Sequence, residues 1–355
     1  MSKRESTDTA SLEAAYAEAF EKEGAVPLWR RALARPVTWI ILIEVVLVLV
    51  FGILSTNNAF WSAASISNLA LSSSQILLLC VAQAMLLAAG QLDLSQGAMV
   101  ILSSVVAGKV MIALMPADTG NPTLSIIIGC IVAVAAGIGI GAINGFFVAK
   151  VGLNSLIATL GMLSIATGVS YVLTSGANLT GLPSELQSGF GIARIAGIPA
   201  PAVVALALVL IMGAVFHFSR FGIHTLAIGS SRRAATRSGV RASRQIIALY
   251  MLSGAAAGVA AIIDLSRFVT TDISGHTADS LAAISGAVIG GTSLTGGLIS
   301  FPGAIFGSLL AVILQVGLVT LNLPPFYQTI AIGAVLIGAV TIDRLRNRNS
   351  RDPNS

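Results

Sequence analysis

Groups able to do chemistry are sparse in this sequence, and few stand at a spacing that chemistry would need. Its 355 residues carry 15 carboxylic acids and 3 histidines. The histidines, His217, His224 and His276, fall at the ends of apolar runs or between them, and none is expected to form a cluster. There is no HExxH or GxSxG sequence and no convincing nucleophile–base pair, so metal-assisted and serine-type hydrolysis have no support. No catalytic residue and no metal ligand is assigned. Nor is there a GxxxxGK[ST] loop to cradle phosphates. The Gly108–Lys109 pair is followed by valine inside an apolar run. On this reading the chain holds no cofactor of its own, and any ATP and Mg it depends on are bound by another subunit.

Acids inside apolar runs come next, because ion-coupled carriers place them there. Glu44 lies about two turns into the first run. Asp93 stands at a junction between two runs, and Asp264 ends another. Glu44 is open to two readings: a proton site, or a carboxylate that snorkels or pairs with a neighbouring helix. Asp93 belongs to GQLDLSQG, residues 90–97, where a carboxylate just before a helix start would cap it. In Gly137-xxx-Gly141-xxx-Gly145 the four-residue spacing favours tight helix packing. Asn144, beside that ladder, either bonds across helices or faces a pathway.

The longest polar stretch within the chain is SRFGIHTLAIGSSRRAATRSGVRASRQ, residues 219–245. Gly229 and Gly239 bracket a short segment of good helix formers. Ala234 and Ala235 give it a small, close-packing face, and Arg232, Arg233 and Arg237 share one side. Two readings stand: a positive loop that fixes topology, or a short helix that docks on a cytoplasmic partner.

The elements that must position these residues are membrane helices. Of the chain 55% is hydrophobic and only 10% charged, against about 25% charged for an average soluble domain. Cys80 and Cys130 lie in apolar runs and read as small core residues. Spans are expected near 37–56, 68–90, 94–115, 123–148, 155–175, 198–219, 246–266, 281–299, 302–321 and 326–342. Each is roughly 17–26 residues long, as a 30 Å hydrocarbon core requires. The eighth, rich in Gly, Ser and Thr, is open to being broken or re-entrant. The fold expected is an all-α bundle of about ten transmembrane helices, with a cytoplasmic tail over 1–36, a membrane domain over 37–343 and a second tail over 344–355. Residues 10–23 have the spacing of a short surface helix. No cleavable signal peptide is apparent, and the net charge of +5 is explained by topology. Lys3, Arg4, Lys22, Arg30, Arg31, Arg35, Lys150, the arginines of 220–245 and Arg344, Arg346, Arg348 and Arg351 then lie inside, with both termini cytoplasmic. Arg194 and Arg267 fall outside, and Lys109 snorkels outward.

Together these segments resemble the membrane permeases of the ribose/xylose/galactoside-type ABC importers. GQLDLSQG is similar to that family's GGIDLSVG. NGFFVAKVGLNSLIATLGMLSIATGVSYVLTSG, residues 144–176, is similar to its "NG…V…PPFIATLGT…GLAYVLTNG". Residues 219–240 look like "T.FGR..YAIGGNEEAARLSGI", the family's coupling helix. AVIGGTSLTGG and the segment from PGAIFG to Asp343 complete a resemblance that covers roughly residues 40–345 in order.

The resemblance implies a bacterial inner-membrane, multi-pass permease for a small polar solute, most simply a monosaccharide. It implies a paired or homodimeric permease, a separate ATP-binding subunit, and a periplasmic or lipid-anchored solute-binding protein. It places ATPase coupling on Gly229, Ser231, Arg232, Arg233, Ala234, Ala235, Arg237 and Gly239. It makes Asp93, Ser95, Asn144 and Thr159 candidates for the translocation path or its gate. Segments 178–199 and 267–279 are expected to meet the binding protein. The chain departs from the family at Ser231-Arg232-Arg233, where Asn-Glu-Glu is usual, so an acidic patch is basic here and the facing ATPase surface is expected to be acidic. It departs again at Ser280-Leu281-Ala282, for Glu-Leu-Asp, and at Gly296-Gly297-Leu298-Ile299, for Gly-Gly-Arg-Gly.

Overall fold

The computed structural model describes residues 36–115 and 121–324, with isolated positions 327, 330, 333, 334, 337, 338 and 341 beyond them. The expected surface helix at 10–23, the basic residues before the first span, those of the C-terminal tail, and most of the last expected span lie outside these residues.

The described residues are helical almost throughout. α1 (Pro36–Leu54) leads through a 3₁₀ turn (Thr56–Trp61) into α2 (Ala63–Ala88). α3 (Gln96–Ala113) and α4 (Pro122–Phe146) follow, the latter ending in a π turn (Phe147–Val151). After α5 (Ser155–Thr174) come two helical turns and a hairpin, β1 (Arg194–Ile195) with β2 (Ile198–Pro199). The hairpin closes on Ala196 and Gly197, both at positive φ, as a two-residue turn of this hand needs. Then come α6 (Ala200–Phe218), α7 (Arg220–Ser230), α8 (Arg232–Arg237), α9 (Ala242–Phe268), α10 (Asp279–Ile289) and α11 (Phe301–Thr320). Polar side chains start many of them: Ser62, Asn121, Asn154, Ser219, Ser231 and Ser300 each accept a backbone N–H from the first turn.

Among the described residues, eight helices are long and apolar enough to cross a membrane: α1 to α6, α9 and α11. The eighth expected span is broken rather than continuous, the alternative that its Gly, Ser and Thr content left open. α10 has 11 residues, about 16 Å, half of what a 30 Å core needs. It stops where Gly291 takes a positive φ, and residues 290–300 are irregular.

α2 and α9 form the centre. α2 is buried almost continuously from Ser73 to its end, and α9 packs with runs of Ala and Gly against α4. The Gly137 ladder makes that contact: a Cβ at Gly137 would strike the Gly254 carbonyl, and one at Gly141 the Tyr250 carbonyl. Close backbone approach is what small residues give helices in lipid, where dispersion and not water expulsion drives packing. α1, α5 and α6 lie at the periphery and expose Ile53, Val172 and Leu210, as lipid-facing helices do. Cys80 is buried in the core and Cys130 half-buried.

Candidate functional site

The connection between α2 and α3 reverses inside the bundle. α2 ends at Ala88, yet Gln96, the first residue of α3, donates from Nε2 to the Leu79 carbonyl at 3.2 Å and to Ser253 Oγ at 2.9 Å. Leu79 lies nine residues before the end of α2, about 13 Å back along its axis. Ser253 lies near the middle of the 27-residue α9. Residues 89–95 therefore carry the chain back to mid-depth, where α3 begins. Non-helical backbone at that depth must be satisfied by protein, and polar side chains do so here.

Asp93 is fully buried. Its Oδ1 accepts from Ser95 N at 2.9 Å and Ser95 Oγ at 2.6 Å, and its Oδ2 from Ser253 Oγ at 3.1 Å. It thus makes the local turn over the start of α3 and also ties that turn to α9. Asn144 Nδ2 donates to Ser95 Oγ at 2.8 Å from α4, and Asn144 Oδ1 has no hydrogen-bond partner. Thr159 Oγ1, on α5, accepts from Leu94 N at 3.2 Å. Tyr250 Oη donates to the Leu92 carbonyl at 2.8 Å. Gln83, with its amide set by the groups it faces, donates to Gln96 Oε1 and the Asp93 carbonyl and accepts from Asp93 N, all at 3.2–3.3 Å. The four residues singled out as a path or gate, Asp93, Ser95, Asn144 and Thr159, thus meet in one cluster closed off from solvent. Sequence reasoning does not find Gln83, Gln96, Tyr250 and Ser253. Amide side chains inside apolar runs are the available signal for the first two, since such groups face the bundle interior.

The second assembly lies at the end of the bundle that carries the 219–245 connection. The short helix expected between Gly229 and Gly239 is present as α8, but the residues before it are not loop. The structure has two helices, and Gly229 lies inside the first. α8 is capped at both ends. Ser231 accepts from Ala234 N at 3.3 Å. Gly239, at φ 86°, closes the far end with Gly239 N donating to the Thr236 carbonyl and Val240 N to the Ala235 carbonyl. Ala235 is buried and Ala234 exposed, so the two alanines do not form one face. The arginines divide as well: Arg232 donates to the Ala149 carbonyl at 3.3 Å, where Ser243 Oγ also donates at 3.2 Å. Arg233 and Arg237 point to solvent.

Gly229 joins the two assemblies. A Cβ there would strike the Ala88 carbonyl oxygen and Gly297 N. Gly297 N donates to that same Ala88 carbonyl at 2.9 Å. The ends of α2 and α7 and the 290–300 segment therefore meet backbone to backbone, five residues before Asp93.

Two further polar groups differ from expectation. His276 does form a cluster: its Nδ1 lies 2.7 Å from Asp279 Oδ2 and its Nε2 3.3 Å from Asp264 Oδ2, while Gln75 Nε2 donates to Asp264 Oδ1 at 3.3 Å. The loop 269–278 folds His276 back over the end of α9, which no local spacing announces. Burial pulls this imidazole down, but Asp279 and Asp264 outweigh it and hold it well above its ordinary 6.5. Glu44 neither snorkels nor pairs among the described residues: it is 7% exposed and its Oε1 has no hydrogen-bond partner. Lys109 reaches the Leu173 carbonyl at the end of α5, at 2.7 Å.

Comparison with known proteins places these features in a family. The family described as "Branched-chain amino acid transport system / permease component" matches residues 65–340. The D-allose transport system permease protein AlsC of Escherichia coli (strain K12) is 30% identical over 300 residues, 84% of this chain and 89% of that one. The L-arabinose ABC transporter permease protein AraH of Azospirillum brasilense is 32% identical over 310 residues, 87% of this chain and 88% of that one. The ribose import permease protein RbsC of Bacillus subtilis (strain 168) is 33% identical over 304 residues, 85% of this chain and 91% of that one. No solved structure matches the chain. A multi-pass membrane chain with these relatives along most of its length belongs to the family of ABC-importer permeases that includes the monosaccharide permeases.

Proposed function

We propose that this chain is the membrane-spanning subunit of an ATP-driven importer that carries a monosaccharide across the bacterial cytoplasmic membrane. The relatives named for allose, arabinose and ribose support a sugar as cargo. In this reading both termini are cytoplasmic, and two copies of the chain enclose the path. A periplasmic binding protein delivers the sugar to segments 178–199 and 267–279. A separate subunit binds ATP and Mg and pushes on Gly229–Gly239.

The observation that carries the proposal is the backbone joint at Gly229. α8 stands outside the bundle, but it follows directly on the last turn of α7, where Gly229 rests on the end of α2. Movement of α7 must displace Ala88 and Gly297 with it, because no side chain intervenes to absorb the shift. Ala88 leads straight into the turn at Asp93. The bonds from Asp93, Ser95, Asn144 and Thr159 hold that turn to α9, α4 and α5. Those bonds are the latch, and breaking them would free α3 to move against its neighbours.

The test is reconstitution. Proteoliposomes holding the chain with its ATP-binding subunit and binding protein should accumulate labelled sugar only when ATP is supplied on the cytoplasmic side. Uptake by the chain alone, driven by an ion gradient, would overturn the proposal.

A further inference from the structure

Cations and carboxylates are divided between the two ends of this bundle. Arg194, Arg267 and Lys109 are all bonded within the chain, Arg194 to Ser67 and the Gly197 carbonyl, Arg267 to Ser72 and Asn68, Lys109 to the Leu173 carbonyl. At the opposite end Arg233, Arg237, Arg241 and Arg244 are exposed and have no hydrogen-bond or ion-pair partner among the described residues. The described carboxylates are Glu44, Asp93, Glu185, Asp264, Asp272 and Asp279. None of them lies in α7, α8 or the first turns of α9, so among the described residues these arginines meet no counter-charge.

The shape of this end says what kind of surface would supply one. α8 is a rigid knob, capped at both ends and pinned to α4 through Arg232. Beside it a cleft of about 450 Å³ runs between α7 and α9, lined by Phe221, His224, Val240, Arg241, Arg244 and Gln245. A knob next to a cationic hollow is complementary to a folded surface with its own hollow and its own protruding acid. A flat sheet of lipid headgroups fits neither. Guanidinium groups pair with carboxylates through two parallel hydrogen bonds, which fixes orientation as well as charge.

We propose that α8 and the adjoining cleft are a two-point basic dock for an acidic surface of the ATP-binding subunit, with Arg233 and Arg237 meeting carboxylates on the knob and Arg241 and Arg244 receiving one in the cleft. Arg232 acts differently, since it holds the knob to Ala149. The inference rests on the reading that an ATP-binding subunit contacts α8, and its test separates the two.

The experiment uses the full chain in nanodiscs with its ATP-binding subunit. First, A234C is joined to that subunit with a thiol cross-linker. Absence of any product overturns the docking reading itself. Second, affinity is measured for wild type, R233E/R237E and R241E/R244E. Each pair is expected to weaken binding by about tenfold or more at low salt, and to flatten the fall in wild-type affinity between about 0.1 and 0.5 M salt. Third, R233K and R241K are treated with a carbodiimide, which joins a lysine amine to a touching carboxylate. Isopeptide products with the ATP-binding subunit are expected from both. If A234C cross-links while the reversals leave affinity and salt dependence unchanged, the acidic dock is wrong and the docking reading stands. If the reversals act only in anionic phosphatidylglycerol discs and not in phosphatidylcholine, lipid is the counter-ion and the inference fails. It fails equally if the effect disappears on deletion of residues 2–24, which carry six carboxylates of the chain itself.

Discussion

Replacing Asp93 tests whether the mid-depth turn is held by hydrogen-bond geometry. Three donors converge on this carboxylate: Ser95 N, Ser95 Oγ and Ser253 Oγ. In Asp93→Ala all three lose their acceptor. The Ser95 N–H is fixed by the backbone and cannot turn elsewhere, so leaving it unmet costs about 1–3 kcal/mol. The two hydroxyls can rotate, and each loses a net bond of about 1 kcal/mol. The sum is roughly 3–5 kcal/mol. Asp93→Asn keeps an oxygen for both Ser95 donors. Its amide can donate to Ser253 Oγ, which already accepts from Gln96 at 2.9 Å and has a second lone pair free for it once its own proton turns away. The Asn variant should therefore cost only about 1 kcal/mol. At about 2–4 °C per kcal/mol, Asp93→Ala should melt roughly 5–10 °C below Asp93→Asn. The assay is the apparent melting temperature of detergent-purified protein by intrinsic fluorescence, with size exclusion to confirm that each variant is folded at the start. Equal melting of the two variants refutes the reasoning, whether both are mild or both severe. In the first case the turn does not need these bonds. In the second the charge matters and not the geometry.

Gly229→Val should open the joint between α7, Ala88 and Gly297 at an overpacking cost of about 1–3 kcal/mol. With its ATP-binding subunit present, the complex should still hydrolyse ATP, because α8 is untouched, while sugar uptake falls about tenfold or more. Gly168→Val, on an open face of α5, is the control, and full uptake by Gly229→Val means that the joint transmits nothing. His276 should make stability depend on pH: its folded value lies above its unfolded value, so its contribution is complete below about 6.5 and is lost as pH rises through the folded value. The wild-type melting temperature should thus fall across the alkaline side of 6.5, and His276→Gln should flatten that fall; parallel profiles would exclude the pair as its source. Glu44→Leu should raise the melting temperature by removing a buried carboxyl with an unmet oxygen, a gain of about 1–3 kcal/mol, and Glu44→Gln should leave ATP-driven uptake unchanged. Loss of uptake in a folded Glu44→Gln protein would instead support an ion-coupled carrier.

Features whose physical cause lies within one turn or one helix face are legible in the sequence. The Gly137 ladder is a four-residue period on a single helix, and it packs as that period requires, against Gly254 and Tyr250. The ends of α8 follow from Ser231 and Gly239, residues with a local capping reason. Spans whose apolar runs are long and unbroken emerge as helices within a few residues. α10 shows where hydropathy misleads. Residues 281–299 are apolar enough to span, but apolarity does not state that Gly291 will turn the backbone after 11 residues. α7 escapes notice for the converse reason. Arg220, His224 and five polar or small residues, Gly222, Thr225, Ala227, Gly229 and Ser230, dilute its apolar face, and its helix is decided by packing on α6, α9 and the end of α2.

The Asp93 and His276 clusters need distances that no spacing supplies. Gln83, Asp93, Asn144, Thr159 and Ser253 come from five stretches up to 170 residues apart. Each polar group in lipid announces that it has a partner inside the protein, because an unpaired one is costly, but the partner's identity is a property of the packed bundle. That is why Asp93, Ser95, Asn144 and Thr159 can be picked one by one and their meeting cannot. The same limit applies to charge. Arg232, Arg233 and Arg237 are equivalent in sequence, three basic residues on six positions. Only the Ala149 carbonyl, at the end of another helix, separates the arginine that holds α8 to the bundle from the two that point to solvent. A reversal of Arg232 together with Arg233 would confound these roles. Arg232→Glu should loosen α8 even in the isolated chain, whereas Arg233→Glu should change nothing until the ATP-binding subunit is added. Hydrogen exchange over residues 231–240, with and without that subunit, distinguishes them, and identical exchange in both variants of the isolated chain would refute the division.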